Sequence, residues 1–410
     1  MATETDRLRL ARDGGTPART RPEAPMFPGG MEVGDEELAA LERVIRSKNL
    51  FRYYGVGDGP QEVAAFEREF ADHFGVRHAL CVNAGSSALV CGLIGAGVGR
   101  GDEVIVPAYT WNATPNAVLA AGGVPVLAEV DESLTLDPAD VEGKITGATK
   151  AIVIVHMRGA PASMDALTAL AERYGLVLVE DACQSAGASF NGRRLGTFGD
   201  AGAFSLQFNK IITTGEGGMM ITDRDDVYEL AIDVHDCAGS VRRDAGLPRF
   251  AGWNFRASEL IGAVGRVQLG RLDGLLERMR ANHARLSDEV SSLPGLSLRR
   301  PNDDGGDAGI ALITFAESAS LARDAVAALK AEGVLAMQIY SPDVIDLHVY
   351  PYWQPVLDAI AVAGARAPDC PQTLDLLERT IHVDVSPLCV EQDLDEIALA
   401  FRKVATQVLA

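Results

Sequence analysis

From about residue 35 the chain alternates stretches of helical periodicity with short runs rich in Val and Ile, and this alternation most narrows the folds open to it. The apolar runs fall at 79–82, 103–106, 125–128, 151–155, 176–179, 201–205 and 218–222. Helical spacing marks 35–45, 61–74, 87–93, 112–121 and 164–174. Strands that alternate with helices predict an α/β domain whose sheet is largely parallel and covered on both faces. After Trp253 the texture changes. A long helical stretch at 258–286 can bridge two lobes, and strand, strand, helix and terminal helix follow at 296–299, 309–315, 320–332 and 392–408. We expect a loose leader at 1–25, a large domain at 26–275 and a small C-terminal domain at 276–410, with no internal repeat.

Charge and composition remove several function classes. With 37 basic against 57 acidic side chains, the formal charge is -20. Surfaces that track nucleic-acid phosphates need clustered Lys and Arg, so nucleic acid is not an expected partner. The apolar runs are far shorter than the roughly 20 residues that cross a bilayer, so no membrane span is expected. Residues 1–21 lack the apolar core of a secretory signal, which predicts a cytoplasmic chain. The six cysteines form no C-x-x-C pair and no dense framework, so neither a disulfide scaffold nor a metal site is expected. Lysine occurs only at positions 48, 144, 150, 210, 330 and 403, which leaves few choices for an amine nucleophile.

Three segments carry candidate chemistry. Asn83-Ala84-Gly85-Ser86-Ser87 follows an expected strand and opens a helix. Free backbone N–H groups, small side chains and two hydroxyls make an anion cradle suited to phosphate, and equally a capped turn. The glycines at 95, 97, 99 and 101 give no G-x-G-x-x-G, so a nicotinamide site is excluded. Val177-Leu178-Val179-Glu180-Asp181 ends a strand in carboxylates, at the edge where open α/β sheets bind ligands, though either acid could cap the next helix. Finally, Lys210 lies between the run ending Phe204-Ser205 and the glycine-dense Gly215-Glu216-Gly217-Gly218. A desolvated lysine forms Schiff bases with carbonyl compounds; a solvated loop lysine is the plainer alternative.

Taken in order, these segments resemble the DegT/StrS-type family of pyridoxal-phosphate (PLP) sugar aminotransferases. The Phe204 to Gly218 block carries the resemblance, with Glu180-Asp181-x-x-Gln184 and Gly252-x-Asn254-x-Arg256 adding to it. It implies the fold-type-I architecture: a large domain with a mostly parallel seven-stranded sheet covered by helices, and a smaller C-terminal α/β domain. It also implies residue roles. Lys210 would hold the cofactor aldehyde and shuttle a proton, and Asp181 would pair with the pyridinium nitrogen. Trp111 would stack on the ring, unless it is a core residue, and Gln184 would reach the ring's hydroxyl side. Ser86, Ser87 and Ser205 would bind the phosphate, completed by Asn254 from the neighbouring subunit of a homodimer with shared sites. Glu216 would hold the turn after the lysine.

The implied reaction moves an amino group from L-glutamate or L-glutamine onto a keto-sugar or keto-cyclitol, in aminosugar, aminocyclitol or antibiotic biosynthesis. The rivals are a dehydratase or aromatising synthase on the same scaffold, or a regulatory paralogue that binds PLP without turnover. Two departures from the family pattern bear on the substrate. Arg158 stands where many relatives carry an aromatic, suggesting an acidic substrate or donor, or a surface salt bridge. The segment 231–236 replaces a more basic one. The aromatic loops 52–54 and 347–353 are candidates either for lining the sugar pocket or for packing the lobes together.

Overall fold

The computed structural model describes residues 8–56, 59, 61–242, 246–365 and 367–409. Its strands are β1 His78–Val82, β2 Glu103–Pro107, β3 Val124–Ala128, β4 Thr149–Val155, β5 Val177–Asp181, β6 Ser189–Phe190, β7 Arg193–Arg194, β8 Ala201–Ser205 and β9 Gly218–Thr222, then β10 Ser297–Leu298, β11 Ala311–Phe315, β12 Ala336–Met337 and β13 Thr380–Asp384. Among the described residues, seven strands form one sheet in the order β1-β9-β8-β5-β4-β2-β3. All neighbours are parallel except β9, which runs antiparallel to both β1 and β8. This is the mostly parallel sheet expected from the sequence.

Each apolar run is continuous because both faces of the sheet are covered. In β4, Ile152 and Ile154 enter one core and Ala151 and Val153 the other. β1 divides alike, with Ala79 and Cys81 on one face and Leu80 and Val82 on the other. Helices Glu62–Phe74 and Met164–Tyr174 cover the first face and Gly85–Gly95 and Asp225–His235 the second. The helix Glu259–Val290 has 32 residues, about 48 Å at 1.5 Å per residue, and reaches from the large sheet to the small lobe. No helix of the described residues is long and apolar enough to cross a membrane.

The small lobe departs from its expected simplicity. Its four-stranded antiparallel sheet has the order β10-β11-β13-β12, and two of these strands, β12 and β13, have no counterpart in the sequence reading. β13 (Thr-Ile-His-Val-Asp) carries no apolar run, yet Thr380, Ile381, His382 and Val383 are all buried. Its place between β11 and β12 comes from long-range pairing, which local hydropathy does not encode.

Of the leader expected to be loose, residues 1–7 lie outside the described residues, and the remainder lies against the small lobe. The Ala11 and Ala18 amides donate to Glu332 at 2.7 and 2.8 Å, and Lys403 Nζ meets the same carboxylate at 2.6 Å. The buried guanidinium of Arg19 bridges Asp393 and Glu396 at 2.8 and 3.2 Å.

Candidate active site

The carboxyl edge of the sheet opens on a cavity of about 630 Å³, as the rule for open α/β sheets requires. Of the residues singled out by sequence, Ser86, Trp111, Asp181, Gln184, Ser205 and Lys210 line it. β5 ends at Asp181, β8 ends at Ser205, and the turn that follows β8 carries Lys210. That turn is tied down from three directions. The Gly29 amide donates to the Lys210 carbonyl at 3.3 Å, the Thr213 amide donates to Gln268 Oε1 at 3.1 Å, and Gln268 in turn donates to Glu37 at 2.9 Å. The lysine is thereby held between the sheet, the long helix and the segment just after the leader.

Asp181 is buried and oriented through both of its oxygens. Oδ2 accepts from the Thr114 hydroxyl at 2.7 Å, and Oδ1 from the Cys183 amide at 3.1 Å. Thr110 extends this chain, its Oγ1 2.8 Å from Thr114 Oγ1. Neither threonine was marked by sequence reasoning: Thr114 sits in an ordinary helical stretch and Thr110 in the loop before it, and neither gives a signal until the fold brings β5 beside them. Burial, followed by the charge of Asp181, pushes the Cys183 thiol well up, so it stays neutral beside the carboxylate.

The neighbouring Glu180 is not a helix cap. Completely buried, it accepts from the amides of Gly196, Phe198 and Gly199 at 2.7, 2.6 and 2.8 Å and lies 3.0 Å from His156 Nε2. It therefore staples the loop before β8 to β5. Glu180→Ala should lose about 3 to 5 kcal/mol in denaturant titrations, because it strands three amides without water. A loss below 1 kcal/mol would rule this role out.

The start of helix Gly85–Gly95 faces the same cavity through Ala84, Gly85 and Ser86. A Cβ on Gly85 would come within 2.8 Å of Ser205 Cβ, and one on Gly218 within 2.4 Å of the Ala84 carbonyl, so glycine permits this close approach. Free N–H groups and two hydroxyls around a small-residue hollow suit a phosphate. Ser87 contributes nothing to this lining: it is buried, and its hydroxyl donates to Asn83 Oδ1 at 2.7 Å. Asn254 is exposed and also lies outside the cavity lining of its own chain.

Trp111 faces the cavity with 44% of its surface open, rather than filling a core. Glu216, expected only to hold the turn, also lines the cavity. Of the two aromatic loops, 347–353 supplies His348, whose ring centroid lies 4.9 Å from that of Trp111, while Trp353 is core. Arg52 and Tyr53 are engaged elsewhere, with Glu67 at 2.7 Å and His235 at 2.8 Å. Arg158 is not in a surface salt bridge: it lines the cavity, and its Nε is buried without a hydrogen-bond partner.

An amine, a buried carboxylate and a helix-start anion cradle around one cavity fit the aldehyde, ring nitrogen and phosphate of PLP. The comparisons agree. The model of the DegT/DnrJ/EryC1/StrS aminotransferase family matches residues 32–402. An L-glutamine:2-deoxy-scyllo-inosose aminotransferase of Streptomyces kanamyceticus is 40% identical over 296 residues, covering 69% of this chain and 67% of that protein. One of the same name from Micromonospora echinospora is 34% identical over 426 residues, covering 96% and 97%. The crystal structure of 3-amino-5-hydroxybenzoic acid synthase superposes with a TM-score of 0.79 at 30% identity, covering 95% of this chain and 100% of that one. With a family match over nearly its whole length and the geometry above, the chain belongs to the DegT/DnrJ/EryC1/StrS aminotransferase family of PLP-dependent enzymes.

Proposed function

We propose that this aminotransferase takes its amino group from L-glutamine and delivers it to a keto-cyclitol, acting in the cytoplasm as a homodimer. The observation that carries the chemistry is the convergence of Lys210, Asp181 and the start of helix Gly85–Gly95 on one cavity. The names of the relatives from Streptomyces kanamyceticus and Micromonospora echinospora support the donor and the ketone.

When bound, PLP supplies an electron sink for the carbon that loses its proton. The chain's residues then divide the work. Lys210 Nζ would anchor the aldehyde and afterwards carry the proton to and from the substrate carbon. Asp181, fixed by Thr114 and the Cys183 amide, would hold a proton at the ring nitrogen. Trp111, Gln184, Ser86 and Ser205 line the cavity and would hold the group, Trp111 against the ring, Gln184 on its hydroxyl side and the two serines at the phosphate. Ser87 has a supporting part, its hydroxyl bonded to Asn83 at the helix start. The donor's product leaves before the ketone binds, which gives ping-pong kinetics.

The direct test incubates the PLP-loaded protein with L-glutamine, L-glutamate and other amino acids, then offers pyridoxamine-phosphate-loaded protein free keto-cyclitols and nucleotide-linked keto-sugars. Amination of the free keto-cyclitol with L-glutamine is the expected result. Exclusive use of nucleotide-linked ketones would reject the substrate class.

The shared site has its own test. Asn254 is exposed and outside its own chain's cavity, as a residue serving the neighbouring subunit would be. Asn254→Asp sets a carboxylate beside the phosphate, costing up to about 4 kcal/mol per unit of like charge at about 4 Å. Chains carrying Lys210→Ala and chains carrying Asn254→Asp should each be inactive alone. Mixed dimers should regain up to half of the wild-type rate, because one site then escapes both lesions. Verified mixed dimers that stay inactive would place Asn254 within its own chain's site or outside the chemistry.

A further inference from the structure

We infer that Arg158 forms the carboxylate-binding subsite of this cavity, receiving the carboxylate of the amino donor, an inference that rests on the aminotransferase reading above. Three features of the residue converge on it.

First, the backbone is specially placed. Arg158 has φ +52°, a left-handed conformation rarely adopted by a residue with a long side chain, and Gly159 follows at φ +81°. Its amide donates to Gln184 Oε1 at 3.1 Å. The turn after β4 is thus bent and pinned so that this side chain enters the cavity instead of following the strand.

Second, the guanidinium is enclosed and under-used. Nε is buried without a hydrogen-bond partner, and the neutral, buried hydroxyl of Tyr109, which lies against the guanidinium, supplies no counter-charge. Among the described residues, no carboxylate makes an ion pair with Arg158. The acids that share its electrostatic neighbourhood, Asp346 and Asp384, are turned to histidines: Asp346 Oδ1 to His348 Nδ1 at 2.7 Å, and Asp384 Oδ1 to His382 Nε2 at 3.3 Å. A buried cation with unspent donors is costly unless a ligand supplies the counter-charge.

Third, the ligand chemistry follows from shape. A planar fork of N–H donors matches a carboxylate in bidentate fashion. Arg158 shares the cavity with Lys210, which the donor amine must approach, and with Asp384 and Ile310 from the small lobe. An amino acid whose amine addresses Lys210 would present its carboxylate to Arg158, the one arginine among the described residues that line that cavity. A free keto-cyclitol has no anionic group to use it. The phosphates of a nucleotide-linked ketone share the anionic-oxygen chemistry and are the competing source, which the experiment separates.

The probes are 4-carbamoylbutanoate, which is glutamine without its amine and so cannot react, and thymidine diphosphate. Each is titrated calorimetrically into the PLP-loaded wild type, Arg158→Gln and Arg158→Tyr; the tyrosine variant keeps a large side chain with a hydrogen-bonding end but no positive charge. Both variants should keep the cofactor's visible band and melt within a few degrees of wild type. Binding of 4-carbamoylbutanoate should weaken about 10- to 100-fold in both, the range for a charge-assisted hydrogen-bond pair. Thymidine diphosphate binding should change less than threefold. In parallel, the wild-type preference for L-glutamine over its decarboxylated analogue, 4-aminobutanamide, should collapse by a similar factor in the variants, a discrimination that a merely structural arginine would not control. Unchanged 4-carbamoylbutanoate binding, or a loss confined to thymidine diphosphate, overturns the assignment. Loss of both probes alike rejects a carboxylate-specific subsite. Should wild-type protein bind 4-carbamoylbutanoate through Arg158 yet take no amino group from L-glutamine, the donor reading falls and the subsite stands.

Discussion

Lys210→Ala is expected to abolish covalent attachment of the cofactor and to lower turnover by about 10⁴-fold or more, since it would remove both roles proposed for this amine, anchor and proton carrier. The geometry leaves no substitute. Lys48 caps a helix with φ 62° and Lys150 sits at the start of β4, and neither lines the cavity. Borohydride reduction of the PLP-loaded wild type, followed by peptide mapping, should place the adduct on the peptide containing Lys210. An adduct on Lys48 or Lys150 instead would overturn the assignment. The variant should still melt as a cooperative unit, because the turn around Lys210 is fastened through backbone groups and Gln268, not through the amine.

Asp181→Asn should retain bound PLP yet lose about 10²- to 10³-fold in the rate of the donor half-reaction. The substitution is close to isosteric, and the surrounding bonds can survive it. One oxygen can still accept from the Cys183 amide, while the Thr114 hydroxyl can turn to accept from the new amide. What disappears is the negative charge that, on the proposed role, would keep the ring nitrogen protonated. A rapid-mixing measurement of the half-reaction isolates this effect from donor binding; rates within threefold of wild type would separate Asp181 from the chemistry.

Much of the large domain was legible because its signals are local. The apolar runs at 201–205 and 218–222 coincide with β8 and β9, and the helix at 164–174 coincides with Met164–Tyr174. Buried strands of a doubly covered sheet must be apolar on both faces, so the pattern survives without knowledge of partners. Lys210 stood out through rarity and through its position ahead of a glycine-dense turn, while strand-end placement marked Glu180 and Asp181 alike and the family resemblance chose between them. The small lobe was less legible: β13 fills its centre with a buried histidine and a threonine, chosen by neighbours far away in sequence. Helix Pro371–Glu378 likewise had no counterpart in the sequence reading.

The sequence by itself therefore determined the α/β class and the order of the seven strands of the large sheet, and it put forward candidates for the amine and the carboxylate; helices Pro138–Lys144 and Asp225–His235 had no counterpart in it. The class and strand order follow from hydrophobic periodicity, while the candidate amine and carboxylate came from lysine's rarity and strand-end placement together with the family resemblance. Only the tertiary structure decided how the site is organised around them. It set Thr114 on Asp181, made Glu180 a staple where a cap was equally open, and placed Ser87 outside the cavity and Arg158 within it. The physical reason is the same in each case. A side chain's role depends on which distant groups share its solvent-excluded space, and that is fixed by packing between elements remote in sequence, for which a linear pattern carries no signal.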